Sequence, residues 1–191
     1  TFPCSDEKSA EQTACDWPQE VTNFGDCPPS SDQQVNASAG ENGHWAAARI
    51  EVPSTPFQVE RVDYVARCTA NLPHRVRLFV GDGPEPPASP DVLVELEVEL
   101  DVSVETNKRR YVALSLDTPI TVPDGQSLFM AVEMIRGDGM GERLCVDMCS
   151  EPAAVEYDYW SNATMAPFPW AEMQSFNFGG DWLFWAHGRP G

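Results

Sequence analysis

Residues 91–104 read DVLVELEVELDVSV, with an apolar side chain at every even position from Val92 to Val104 and acids at Asp91, Glu95, Glu97, Glu99 and Asp101. A period of two places alternate side chains on opposite faces of a strand, one buried and one in water. On a helix the same acids would be scattered around the whole circumference. The stretch therefore predicts a β-strand whose wet face carries a ladder of carboxylates, and it makes the chain an antiparallel all-β protein.

Similar runs recur on both sides of this strand, separated by turn-forming residues. Strands are expected at Trp45–Val52, Phe57–Arg67, Arg75–Val80, Val92–Val104, Tyr111–Leu116, Leu128–Ile135, Leu144–Met148, Val155–Trp160 and Asp181–Ala186. Pro53, Pro56, Pro73, Gly81, Gly83, Pro123-Asp124-Gly125 and Gly137-Asp138-Gly139 punctuate them. Many short strands with no convincing 3.6-residue period imply an antiparallel β-sandwich of jelly-roll type over residues 41–191. Arg75 and Arg77 share a face and are placed to meet Glu95, Glu97 or Glu99 across strands. Residues 1–40 differ in composition, being poor in large aliphatics and rich in Ser, Asp, Glu, Gln and Pro. They are expected to form an irregular arm, with no alternating segment suited to strand donation.

The chain has 191 residues, 42% of them hydrophobic, and a net charge of −18. That charge repels polyanions, which rules against nucleic acid as a partner and against anionic membrane surfaces. No apolar run approaches the ~18 residues of a membrane helix, so membrane insertion is not expected. The chain starts at Thr1, as expected after removal of a leader. Six cysteines and two N-x-S/T triplets, at Asn36 and Asn162, fit an oxidising, extracellular or cell-surface setting. Cys4, Cys15 and Cys27 lie in the arm; Cys68, Cys145 and Cys149 lie beyond it. All six are expected to form disulfides, and pairing within the chain would tie the arm to the domain through at least one bridge. Cys145 and Cys149 cannot join each other within an extended strand, since four steps span ~13 Å against the ~7 Å a bridge tolerates.

From about Trp45 to Gly188 the chain resembles the jelly-roll modules found in secreted, multidomain bacterial proteins. The resemblance is carried by Tyr111-Val-Ala-Leu-Ser-Leu-Asp117, Pro119-Ile-Thr-Val-Pro-Asp-Gly125, Leu128-Phe-Met-Ala-Val-Glu133, Tyr159-Trp-Ser-Asn162 and Gly180-Asp-Trp-Leu-Phe-Trp-Ala186. It covers about three quarters of the chain and leaves the arm outside. It implies an accessory, adhesive or structural role and brings no catalytic residue with it.

Enzyme signatures are missing: there is no GxSxG elbow, phosphate loop, HExxH or dinucleotide fingerprint. Two kinds of site remain. Acidic Gly-rich turns around Asp82, Asp138 and Asp181 offer oxygen ligands to calcium, although Asp-Gly pairs also serve simply as turns. Four of the six tryptophans fall from Trp160 onward. In the last strand Trp182 and Phe184 face one way, Leu183 and Trp185 the other. Trp160, Phe168, Trp170 and Trp185 are therefore the candidates for stacking on a glycan or a protein surface. The expectation is a non-catalytic binding or adhesion module. The alternative is a structural subunit that assembles with copies of itself into an extracellular filament or layer, and a secreted hydrolase ranks third.

Overall fold

Strand β4, Phe57–Cys68, is the element on which the architecture turns. A computed structural model describes residues 19–22, 32–35, 44–69, 72–100, 109–136, 143–149, 158–161, 170–176 and 180–191. Among them are thirteen strands and a short 3-10 turn, Met173–Phe176. The strands are β1 Gln19–Thr22, β2 Asp32–Val35, β3 His44–Ile50, β4, β5 His74–Gly81, β6 Val92–Val98, β7 Arg109–Val122 and β8 Ser127–Arg136. Then follow β9 Arg143–Cys149, β10 Asp158–Ser161, β11 Ala171–Glu172, β12 Asp181–Trp182 and β13 Phe184–Pro190.

Every pairing is antiparallel. One series runs β6-β5-β8-β3-β10-β11. The other is built on β4, with β7 along one edge and β13 and β9 along the other. β1 adds to β13, and β2 and β12 add to β9. Hydrogen bonding continues between the series where Ile135 of β8 meets Leu144 of β9.

The two series share one core. Phe57, Val62, Tyr64, Val146, Trp182 and Phe184 from the β4 series pack with Ala48, Ile50, Val76, Leu78, Met130 and Val132 from the β6–β11 series. Each large side chain buried there stabilises the fold by roughly 1.5–3 kcal/mol. In β6 the residues at even positions are half-buried or buried and those at odd positions are exposed, as the alternation requires. The strand ends at Val98, short of the expected Val104, and pairs only with β5 among the described strands.

The outer face of the β3–β8–β5 series is also built from sequence. Trp45, 2% exposed, lies across a row where Ala47 and Ala131 give it room, and the guanidiniums of Arg75 and Arg77 sit over its ring at 5.2 and 4.4 Å. Arg77 pairs with Glu95 at 2.5 Å as expected. Arg75 turns instead to Glu133 of β8, which accepts from its Nη2 at 2.7 Å and its Nε at 2.9 Å.

The arm is less irregular than its composition suggests, because β1 and β2 both fall within residues 1–40 and hydrogen-bond to β13 and β9. Main-chain pairing does not require the apolar alternation that the segment lacks. The expectation that all six cysteines pair is also corrected: Cys68 is a buried free thiol, its pKa pushed up to about 12 by burial and then by neighbouring Cys145. Cys149 is disulfide-bonded. Cys4, Cys15 and Cys27, and with them the stapling of the arm, lie outside the described residues.

Register along β13 depends on Gly188. A Cβ there would stand 2.0 Å from the carbonyl oxygen of Gln58, at the point where the β13–β4 pairing shifts. Gly188→Ala should destabilise the protein by about 2 kcal/mol, as overpacking against backbone does. A urea titration against the wild type checks this.

Candidate functional site

The apolar positions of β4 change parity halfway along the strand. Phe57 and Val59 point into the core, and so do Val62, Tyr64, Ala66 and Cys68. The switch lies at Glu60: the pairing with β13 skips that residue, and the pairing with β7 jumps there from Ile120 to Ser115. One extra residue in a bulge turns every following side chain to the opposite face. Arg61, Asp63, Val65 and Arg67 are thereby sent to the outer face, next to Tyr111 of β7 and to Trp185 and His187 of β13.

Asp63 is fully buried and gathers this face. Arg61 donates to it through Nε at 2.7 Å and Nη2 at 2.6 Å. His187 Nε2 donates at 2.5 Å, and the Tyr111 hydroxyl donates to the same carboxylate. Burial alone would raise the pKa of Asp63. The hydrogen bonds from His187, Arg61 and Tyr111 outweigh it and hold the carboxyl down at about 2. Tyr111 moves the other way: burial and then its bond to Asp63 push the phenol up to about 12, so it stays protonated at neutral pH. A second buried carboxylate on this face, Asp147, takes three hydrogen bonds from Arg67.

Above the saturated Asp63 the aromatic rings reach solvent. Tyr111 is 52% exposed, and its ring meets the half-buried Trp185 edge-on at 5.3 Å. Tyr111 also lines the wall of an open cleft of about 510 Å³ with Glu99, Leu100, Arg110, Val112 and Ala113. A phenol fixed at its oxygen and braced by an indole presents a rigid ring face beside a carboxylate and a guanidinium. That set can stack on a flat apolar surface and hydrogen-bond to hydroxyls.

The structure spreads the sequence-derived candidates apart. Trp185 joins the Tyr111 corner. Trp160 is half-buried and donates from Nε1 to His44 Nδ1 at 2.9 Å. Trp170, expected to stand free in its Pro-bounded loop, is half-buried: its ring stacks near Phe79 at 6.3 Å and its Nε1 donates to the carbonyl of Pro87 at 3.3 Å. Phe168 lies outside the described residues, as do Asp138, Asn36 and Asn162. Asp82 accepts from Gln126 Nε2 at 2.7 Å in an exposed turn. Asp181 is fully buried, far from the open acidic turn expected. Burial lifts its pKa to about 6 against the opposing effect of Asp158. Among the described residues no group of three or more His, Cys, Asp or Glu side chains is placed to hold a metal. Sequence reasoning missed Tyr111, Asp63, Arg61 and His187. The available signal was the run Arg61-Val-Asp63-Tyr-Val65-Ala-Arg67, charged at three of its four odd positions.

No protein-family model matches the chain, and none of the curated proteins compared is similar to it in sequence. Solved structures do match its fold. One contains the cysteine protease and lectin-like domains of Cwp84, a surface layer associated protein of Clostridium difficile; it is 12% identical, with a TM-score of 0.53 over 86% of this chain. Another is the clostridial cysteine protease Cwp84 after propeptide cleavage, 10% identical, with a TM-score of 0.54 over 86% of this chain. This chain spans 37% of the former and 41% of the latter. The likeness is one of fold. Among the described residues no helix is long and apolar enough to cross a membrane, a statement that does not extend to strands.

The low pKa of Asp63 fixes a pH dependence. A carboxyl lowered on folding adds stability above its unfolded value near 4 and loses it as pH falls towards 2. For Asp63 this amounts to about 2 kcal/mol. Thermal melts between pH 5 and pH 2 should show that loss, and Asp63→Asn should flatten the slope while lowering stability at pH 7.

Proposed function

We propose that this chain is a secreted or cell-surface, non-catalytic β-sandwich module of jelly-roll type that binds glycan on the Tyr111–Trp185 corner. The observation that carries the reading is the half-exposed Tyr111 ring, locked through its hydroxyl to a buried Asp63 and braced by Trp185. Preorganised rings of this kind lose little freedom on binding, so the stacking energy of a sugar face is retained. Glu99 and Arg110 along the cleft supply polar partners for hydroxyl groups. The net charge of −18 directs the surface towards neutral or cationic ligands and away from nucleic acid. The lectin-like domain named for the structural neighbour supports the same class of ligand. The relative also supports an extracellular or cell-surface setting.

Self-assembly is the second reading, and Leu93 favours it. This residue is 43% exposed on β6, a strand paired only with β5 among the described strands.

A glycan array followed by titration of the best ligand tests the first reading. Tyr111→Ala should weaken binding roughly tenfold or more, the equivalent of about 1.4 kcal/mol. The particle mass from light scattering should stay that of a monomer. Unchanged affinity in Tyr111→Ala would move the ligand elsewhere. Large particles that dissociate in Leu93→Glu would favour assembly. Trp170→Ala should lower the melting temperature more than the affinity, because its ring packs on Phe79.

A further inference from the structure

Asp158 and Asp181 sit where the two strand series meet. Asp158 belongs to β10, opposite Ala48 of β3, and Asp181 to β12, opposite Cys149 of β9. Their exposures are 2% and 0%. Asp158 Oδ1 accepts the main-chain N–H of Trp182 at 2.8 Å, and Trp182 Nε1 donates to the carbonyl of Tyr159 at 3.2 Å, which lashes β12 to β10. Gly180 brings the chain in, since a Cβ there would lie 2.2 Å from the Cys149 carbonyl oxygen. Neither carboxylate oxygen of Asp181 receives a hydrogen bond from any protein donor. The side chain bearing on it is another carboxylate, that of Asp158.

A buried carboxylate that no guanidinium, phenol, imidazole or main-chain donor meets is costly to keep charged, and burial is what lifts the pKa of Asp181 against the opposing effect of Asp158. Asp63 and Asp147 show how this fold treats a buried acid that serves structure alone: each is surrounded by guanidinium, phenol or imidazole donors. Asp181 has no such donors, and its oxygens remain available to a positive ligand. We propose that Asp158 and Asp181 bind one hard divalent cation, calcium by its preference for irregular all-oxygen sites, and that the ion clips β10 to β12. Oxygen-only donors on two different strands are what calcium accepts and what softer metals avoid. The inference does not depend on glycan binding.

The test uses the full chain, freed of metal with EDTA and exchanged into chelator-free buffer at pH 7.5. Calcium should raise the melting temperature by about 5 °C or more, as a ligand specific to the folded state does. Calorimetry should count one ion per chain. Terbium should give indole-sensitised emission that calcium displaces. Asp181→Asn and Asp158→Asn should each abolish the thermal shift, while Asp82→Asn keeps it in full. Should the Asn variants fail to fold, Trp182→Phe leaves both carboxylates intact; it should cut sensitised emission several-fold and preserve the calcium shift. The proposal is overturned if calcium leaves the wild-type melting temperature unchanged, or if both Asn variants keep the full shift. It is also overturned if metal-free Asp181→Asn melts above the wild type and calcium has no effect on either protein, the signature of a carboxyl pair that merely shares a proton.

Discussion

The bulge at Glu60 is the constraint from which much of the structure follows. Before it, the odd residues of β4 fill the core; after it, the even ones do. Without that extra residue, Asp63, Arg61 and Arg67 would be driven into the apolar interior while Tyr64 and Val62 faced outward. The matching shift in β13 depends on Gly188, whose missing side chain lets the two backbones close around the irregularity. Core packing and the polar cluster on the outer face are thus two results of one backbone event. The Tyr111 corner inherits its rigidity from the same source, because the carboxylate that anchors it is delivered by the bulge.

Buried acids divide this molecule into two chemical regimes. Asp63 and Asp147 are saturated by donors held on neighbouring strands, and such bonds to a charged acceptor are stronger than neutral ones. Asp181, at the junction of the strand series, has no such donor. One arrangement stabilises by satisfying charge from within the protein. In the other, the proposed cation would meet the charge that the protein leaves uncompensated. That difference, and not the number of acids, separates the structural carboxylates from the candidate ligand site.

The sequence disclosed the strands whose faces differ. β6 was legible because acids and aliphatics alternate there without a break, and β3, β4, β5, β8 and β9 because their apolar runs lie between turn-forming residues such as Gly, Pro, Asn and Ser. The Pro123-Asp124-Gly125 turn was equally plain: Gly125 has φ of 77° and Gln126 N–H closes on the Pro123 carbonyl at 3.2 Å. β1 and β2 were hidden, since Gln19-Glu20-Val21-Thr22 and Asp32-Gln33-Gln34-Val35 join their neighbours by main-chain bonds that leave no periodic mark. The site was harder still. Trp170 looked exposed because prolines flank it, yet Phe79 and the Pro87 carbonyl, both more than eighty residues earlier, hold its ring and its N–H. Asp181 was singled out as a turn acid, and its burial depends on strands from three other parts of the chain. Tyr111 carried no signal of its own, because what distinguishes it is a partner on β4.

The acids of β6 have a consequence for the protein's behaviour as a colloid. A strand with one unpaired edge is a template on which another chain can extend the sheet. Among the described strands β6 pairs only with β5, and it carries exposed Leu93 between Val92 and Val94, a sequence otherwise well suited to stacking. Glu95 is paired with Arg77, but exposed Glu97 places a like charge on every copy, which opposes the approach of two such edges. The barrier is purely ionic and short-ranged at physiological salt. Neutralised by acid or masked by multivalent cations, the same strand would become adhesive towards its own kind. Charge on that strand is therefore one device by which the sheet discourages its own extension.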